Sequence, residues 1–142
     1  MSNDDTTKCT ARQHALVIGG SMAGLMTAKA LSQSFEKVTI IDRDRFPENP
    51  EFRKGAPQAA HVHVLLSAGT DFINSLYPQL FEELEPMGAR LIDTANEFAW
   101  FHEGVWKNRY ESGIKIMQSS RVLLEWGIRR HTAAVDNIEI LP

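Results

Sequence analysis

The stretch Gly19-Gly20-Ser21-Met22-Ala23-Gly24 follows a short apolar run, Ala15-Leu16-Val17-Ile18, and opens a segment with helical spacing. That order, strand then glycine turn then helix, constrains the fold more than any other feature of the chain. The run reads as a strand buried on both faces. From Met22 to Phe35, Leu25, Met26, Ala28, Ala30 and Leu31 recur at helical spacing. Val38-Thr39-Ile40-Ile41 is β-branched and ends at Asp42, so it reads as a second strand, parallel to the first, with the helix as crossover. A βαβ unit thus occupies Leu16 to Asp42.

This context gives the glycines a chemical reading. Gly19 permits the tight turn out of the strand and Gly24 lets the helix pack closely on the sheet. The N–H groups of the first helical turn, at Met22 and Ala23, then stand at the positive end of the helix dipole, where a pyrophosphate binds. Ser21 replaces the middle glycine of GxGxxG and offers a hydroxyl to the phosphates. A carboxylate at Asp42 can accept both hydroxyls of a ribose and repels a 2′-phosphate, which favours FAD or NAD over NADP. Arg43 and Arg45 beside it work against that discrimination.

Arg43 to Ala60 is rich in Pro, Gly and charge and reads as a long surface loop. Helical spacing resumes at Val64 and runs to about Leu84, interrupted near Tyr77-Pro78. Short strands are expected at Ala89 to Asp93, Phe98 to Phe101 and Ile114 to Met117, with Gly104 and Gly113 as turns. Ser119 or Ser120 caps a helix reaching about Thr132, and Asn137 precedes a last strand, Ile138 to Leu141. His61 is read as capping or lining a cofactor groove and His63 as packing or surface. The two imidazoles diverge on a helix, and no metal site is expected. Trp100, Trp106 and Trp126 are assigned to the core, Glu82, Glu83 and Glu85 to a solvated face, and no covalent nucleophile stands out.

With 43% hydrophobic and 23% charged residues in 142, the chain can bury a core, which excludes disorder and collagen-like structure. A net charge of -3 without a basic run argues against nucleic acid as a partner. The polar start, residues 1–12, is expected to be a disordered leader. It carries the single cysteine, Cys9, and has no secretory pattern; a reducing, cytoplasmic location is expected. No apolar run approaches the roughly 20 residues that cross a bilayer.

Four segments, Ala15 to Ala30, Ile41 to Pro47, Arg53 to Leu66 and Ser120 to Glu125, stand in the order found in FAD-dependent monooxygenases. The chain resembles the class A aromatic hydroxylases with the para-hydroxybenzoate hydroxylase fold. The resemblance implies an α/β, Rossmann-like βαβ FAD-binding domain, with 13–142 its N-terminal portion, incomplete at the C terminus. It implies that Gly19, Ser21 and Gly24 surround the FAD pyrophosphate and that Asp42 holds the adenosine ribose. It implies too that Arg53 and Gln58 reach the ribityl-phosphate region and that Arg121 supports the dinucleotide from the far side. NADH or NADPH would be the reductant of the complete enzyme, and the residues specify no substrate. The family's second FAD motif, a Gly-Asp, has no counterpart, so self-association or a complementing C-terminal chain is expected. A NAD-binding Rossmann enzyme and a non-catalytic nucleotide-binding remnant stand as alternatives.

Overall fold

The computed structural model describes residues 12–61 and 63–142. In chain order these form β1 (Arg12–Ile18), α1 (Met22–Leu31), β2 (Phe35–Ile41), a 3-10 turn (Pro57–Ala60), α2 (Ser67–Leu76), α3 (Leu80–Leu84) and a second 3-10 turn (Glu85–Met87). There follow β3 (Arg90–Asp93), β4 (Phe101–His102), β5 (Val105–Trp106), β6 (Lys115–Gln118), α4 (Arg121–Ala133) and β7 (Ile138–Leu141). The expected leader lies outside the described residues except for Arg12, which is already part of β1 and bonds to the Ser34 carbonyl. No helix among the described residues is long and apolar enough to cross a membrane.

The architecture is α/β. A parallel sheet in the order β1-β2-β7 puts Ile18 beside Ile41 and Ile41 beside Leu141. Ala15, Val17, Val38, Ile40 and Ile138 pack with Leu25 and Ala28 of α1 and Leu124 and Ile128 of α4 into one core. Alternation along the strands sends Leu16 and Ile18 to the opposite face, where they are 61% and 90% exposed. The expectation that the first strand is buried on both faces is therefore wrong for the described residues. Both crossovers step across the sheet in one direction, so a common handedness places α1 and α4 on the same side. Asn137 fixes the entry to β7, donating from Nδ2 to the carbonyls of Ser32 and Phe35 at 2.9 and 2.8 Å.

The expected helix over 64–84 is two helices. Tyr77 leaves the helical conformation (φ -138°, ψ 72°) ahead of Pro78, whose ring disfavours a helical predecessor. The Tyr77 ring is only 2% exposed, and its hydroxyl lies 2.9 Å from Thr132 Oγ1 of α4. Burial raises the phenol pKa, against the smaller effect of the Thr132 bond. At the other end of the molecule, β3 and β6 pair antiparallel, and Asp93 closes the excursion between them. Its carboxylate accepts from the N–H groups of Ala95, Asn96, Ser112 and Gly113 and from Ser112 Oγ.

Of the strand expected at Phe98 to Phe101, only Phe101 is in a strand. It begins the hairpin β4–β5, which turns at Glu103 and Gly104 with both φ values positive, as a tight two-residue turn requires. Trp100 and Trp106 are 57% and 66% exposed, which corrects their assignment to the core. So short a hairpin has no face against the sheet, and its rings pack on one another, Phe101 on Trp106 at 5.1 Å. Trp126 is partly buried against the core.

Removing only the Tyr77 hydroxyl tests the α2–α4 contact. Tyr77→Phe is expected to cost about 1–2 kcal/mol, because it removes the contacts to Thr132 Oγ1 and to the Leu25 carbonyl at 3.4 Å while Thr132 keeps its bond to the Ile128 carbonyl. A thermal melt that matches the wild type would remove these contacts from the account of stability.

Candidate nucleotide-binding site

The carboxyl ends of β1 and β2 meet the N-terminus of α1. Gly19 leaves β1 at φ +98°, a region side chains rarely adopt, and its N–H donates to the Ile41 carbonyl at 2.7 Å. A Cβ on Gly24 would overlap the Gly19 carbonyl oxygen, so the close approach of helix to turn requires glycine. A Cβ on Gly20 would overlap the Phe46 ring, a requirement the sequence reading missed. Ser21 stands at the N-cap, yet no side chain caps this helix. Met22 is buried and Ala23 exposed.

Arg53 explains why the Ser21 hydroxyl does not cap. Its Nη2 donates to Ser21 Oγ at 2.7 Å and to the Gly20 carbonyl at 3.3 Å, laying the guanidinium along the loop. Nη1 meets Asp44 at 3.0 Å and Asp42 at 3.6 Å, and Nε donates to Glu125 of α4 at 2.9 Å. The Arg53 side chain is 6% exposed, so every polar edge of it faces protein. Burial alone would lower its pKa, but Glu125, Asp42 and Asp44 hold the proton and raise it. Arg53 and Arg129 lie on the Phe46 ring at 5.1 and 5.2 Å. Burial, reinforced by the neighbouring Arg53, lowers the pKa of Arg129, whose Nη2 donates to the Pro47 carbonyl.

Asp42 closes the turn from the strand side. Oδ2 accepts from the Gly20 N–H at 2.6 Å and Oδ1 from the Asp44 N–H at 2.8 Å. Burial opposes its charge, but the two N–H groups and the guanidinium groups of Arg53 and Arg43 together depress its pKa. Arg43 is exposed and acts on Asp42 through its field alone.

Arg121 begins α4, behind the Ser120 cap, which accepts from Leu123 N. Its Nη2 lies 3.5 Å from Glu125 Oε2, while its buried Nε has no partner. With Met22, Leu65, His63 and Leu124 it lines a cleft of about 110 Å³. His63, expected at the surface or in packing, is exposed yet borders this cleft, and His61, expected to line a groove, is exposed and away from it. Both precede α2, so the helix that was to separate them does not include them. Gln58 is exposed on the 3-10 turn.

The structure therefore gathers Gly19, Ser21, Gly24, Asp42, Arg53 and, through Glu125, Arg121, and leaves Gln58 and Arg43 at the surface. Gly20, Asp44, Phe46, Glu125 and Arg129 are the members the sequence reading missed. For the α4 residues a signal existed: Arg121, Glu125 and Arg129 recur every four positions, the spacing of one helix face.

No family model matches the chain. It is similar to a curated protein of Mycobacterium tuberculosis (strain ATCC 25618 / H37Rv), named Protein Rv3254, with 31% identity over 136 residues. The alignment covers 92% of this chain and 28% of the relative, so the chain spans little more than a quarter of that protein's length.

Gly24→Val should disrupt helix packing and loop geometry together, lowering the melting temperature sharply or preventing folding. A variant that melts with the wild type would contradict the close approach at Gly19.

The Asp42 charge makes an acid-dependent contribution. A depressed carboxylate pKa stabilises the fold above the unfolded value, near 3.8, and that stability is lost as pH falls through the folded value. Asp42→Asn should be less stable than the wild type at pH 7 and lose less between pH 5 and about 2. The depressed Asp93 and Glu139 leave a residual acid dependence in both proteins. Parallel stability-versus-pH curves would contradict this.

Proposed function

We propose that the chain forms the dinucleotide-holding part of a flavin-dependent oxidoreductase of the hydroxylase type, with FAD as cofactor in a Rossmann-like βαβ unit. The observation that carries this reading is that two distant segments meet at the glycine loop: Arg53, from the loop after β2, lies on Ser21 and is held by Glu125 of α4, which also meets Arg121. A nicotinamide dinucleotide site needs the loop and Asp42 but neither of these segments.

The residues fit the cofactor. Open space lies over Gly19, the first turn of α1 has no side-chain cap, and Arg121 Nε is a buried donor without an acceptor. Each Asp42 oxygen accepts one backbone N–H, and a carboxylate oxygen has a second lone pair, which suits two ribose hydroxyls. Met22 and Ala23 N–H groups and Arg121 would bind the phosphates, with Ser21 Oγ held by Arg53 beside them. Arg53, saturated by protein acceptors, orients the loop. Bound flavin supplies electron transfer from a nicotinamide and activation of oxygen.

Calorimetry with FAD, ADP-ribose and NAD, together with the visible absorbance of the purified protein, tests the reading. FAD and ADP-ribose should bind, and Arg121→Ala should weaken FAD by about 1.5–3 kcal/mol, the worth of a hydrogen bond to a charged group. Preferential binding of NAD would favour a nicotinamide enzyme, and a protein that binds none of the three would overturn the nucleotide reading.

A further inference from the structure

A carboxylate in the middle of a helix and only 4% exposed is an expensive residue to keep, since apolar replacements for buried ion pairs are often neutral or stabilising. Glu125 divides its two oxygens between the arginines that flank the loop: Oε1 accepts from Arg53 Nε at 2.9 Å, and Oε2 faces Arg121 Nη2 at 3.5 Å. Arg53 is fixed along Gly20 and Ser21 by this contact from one side and by Asp44 from the other. Arg121 is held by its Nη2, its buried Nε has no partner, and the residue lines the cleft that Met22 shares.

We infer that Glu125 is a positioning residue for phosphate recognition: it touches no ligand itself but sets Arg53 on the loop and presents Arg121 Nε beside the first turn of α1. The inference rests on the nucleotide reading above and adds a residue to it. Two effects of Glu125 on an anion have opposite signs. Its negative charge repels phosphate through space, whereas its geometry supplies an ordered donor. Glu125→Gln removes the charge and keeps the shape, so the sign of the change identifies which effect governs.

The test compares ADP with adenosine, titrated into the wild type, Glu125→Gln, Arg121→Gln and the double variant by calorimetry and ligand-observed NMR. ADP affinity should fall about tenfold in Glu125→Gln, with adenosine affinity changed less than about twofold, because Asp42 keeps its two backbone N–H partners, Gly20 and Asp44, when the arginines lose Glu125. The double variant should lose less than the sum of the two single losses, because part of the Glu125 effect runs through Arg121. Tighter ADP binding, equal losses of ADP and adenosine, or additive losses in the double variant would each overturn the positioning role. Should Glu125→Gln not fold, Glu125→Asp serves, since it keeps the charge and withdraws the carboxylate: weaker ADP with intact adenosine supports the role, and unchanged ADP overturns it. A wild type that binds neither ligand overturns the nucleotide reading and this inference with it, while a wild type that binds both isolates the fate of Glu125.

Discussion

A single buried guanidinium, that of Arg53, ties three separate parts of the chain together at one point. It connects the glycine loop after β1, the acidic turn after β2 and the middle of α4, across 72 residues in the Arg53–Glu125 contact. Asp42, Asp44 and Glu125 balance Arg53, Arg121 and Arg129 in formal charge; Arg53 and Arg121 are ion-paired, while Arg129 meets the Pro47 carbonyl and the Phe46 ring. Such clusters contribute little net stability but are costly to break, because removing one member strands the others away from water. The arrangement fixes geometry more than it deepens the energy well.

The glycines and Phe46 translate that geometry into shape. Phe46 lies between Arg53 and Arg129 and takes the space a Gly20 side chain would fill. Gly24 allows α1 to approach the carbonyl of Gly19, so the helix dipole and the Asp42 carboxylate converge on one turn. The loop is thus braced from the strand side by Asp42 and from the helix side by Arg53. An uncapped helix start stands beside the cleft that Arg121 lines, and the buried Nε of that arginine has no acceptor. That combination of a neutral, rigid support and unengaged donors is the physical basis for the proposed nucleotide site.

The βαβ unit was legible in the sequence because its determinants are local. β-branched runs, an alanine-rich helical period and a glycine turn each specify a conformation over a few residues, and β1, α1, β2, α4 and β7 overlap those patterns, although α1 ends at Leu31 and Phe35, read into the helix, opens β2. Asp42 was legible for the same reason, standing at the end of a recognisable strand. Strand ends and the split at Tyr77 were less so, since register with β7 and packing on Thr132 decide them. The hairpin aromatics were misread because aromatic content predicts burial only where an element has a core to face.

The sequence by itself determined the strand, turn, helix and strand order from β1 to β2, the helix after Ser120 and the last strand, and which residue types stand at the ends of the first two strands. Only the tertiary structure decided the partners of Arg53, the place of Phe46 beside Gly20 and the exposure of Leu16 and Ile18. Local patterns report backbone preference and one-dimensional periodicity. Which carboxylate meets which guanidinium depends on how α4 and the loop after β2 pack over the sheet, and which sheet face is covered depends on the direction of the crossovers. Both are properties of elements far apart in the chain, and no short-range signal encodes them.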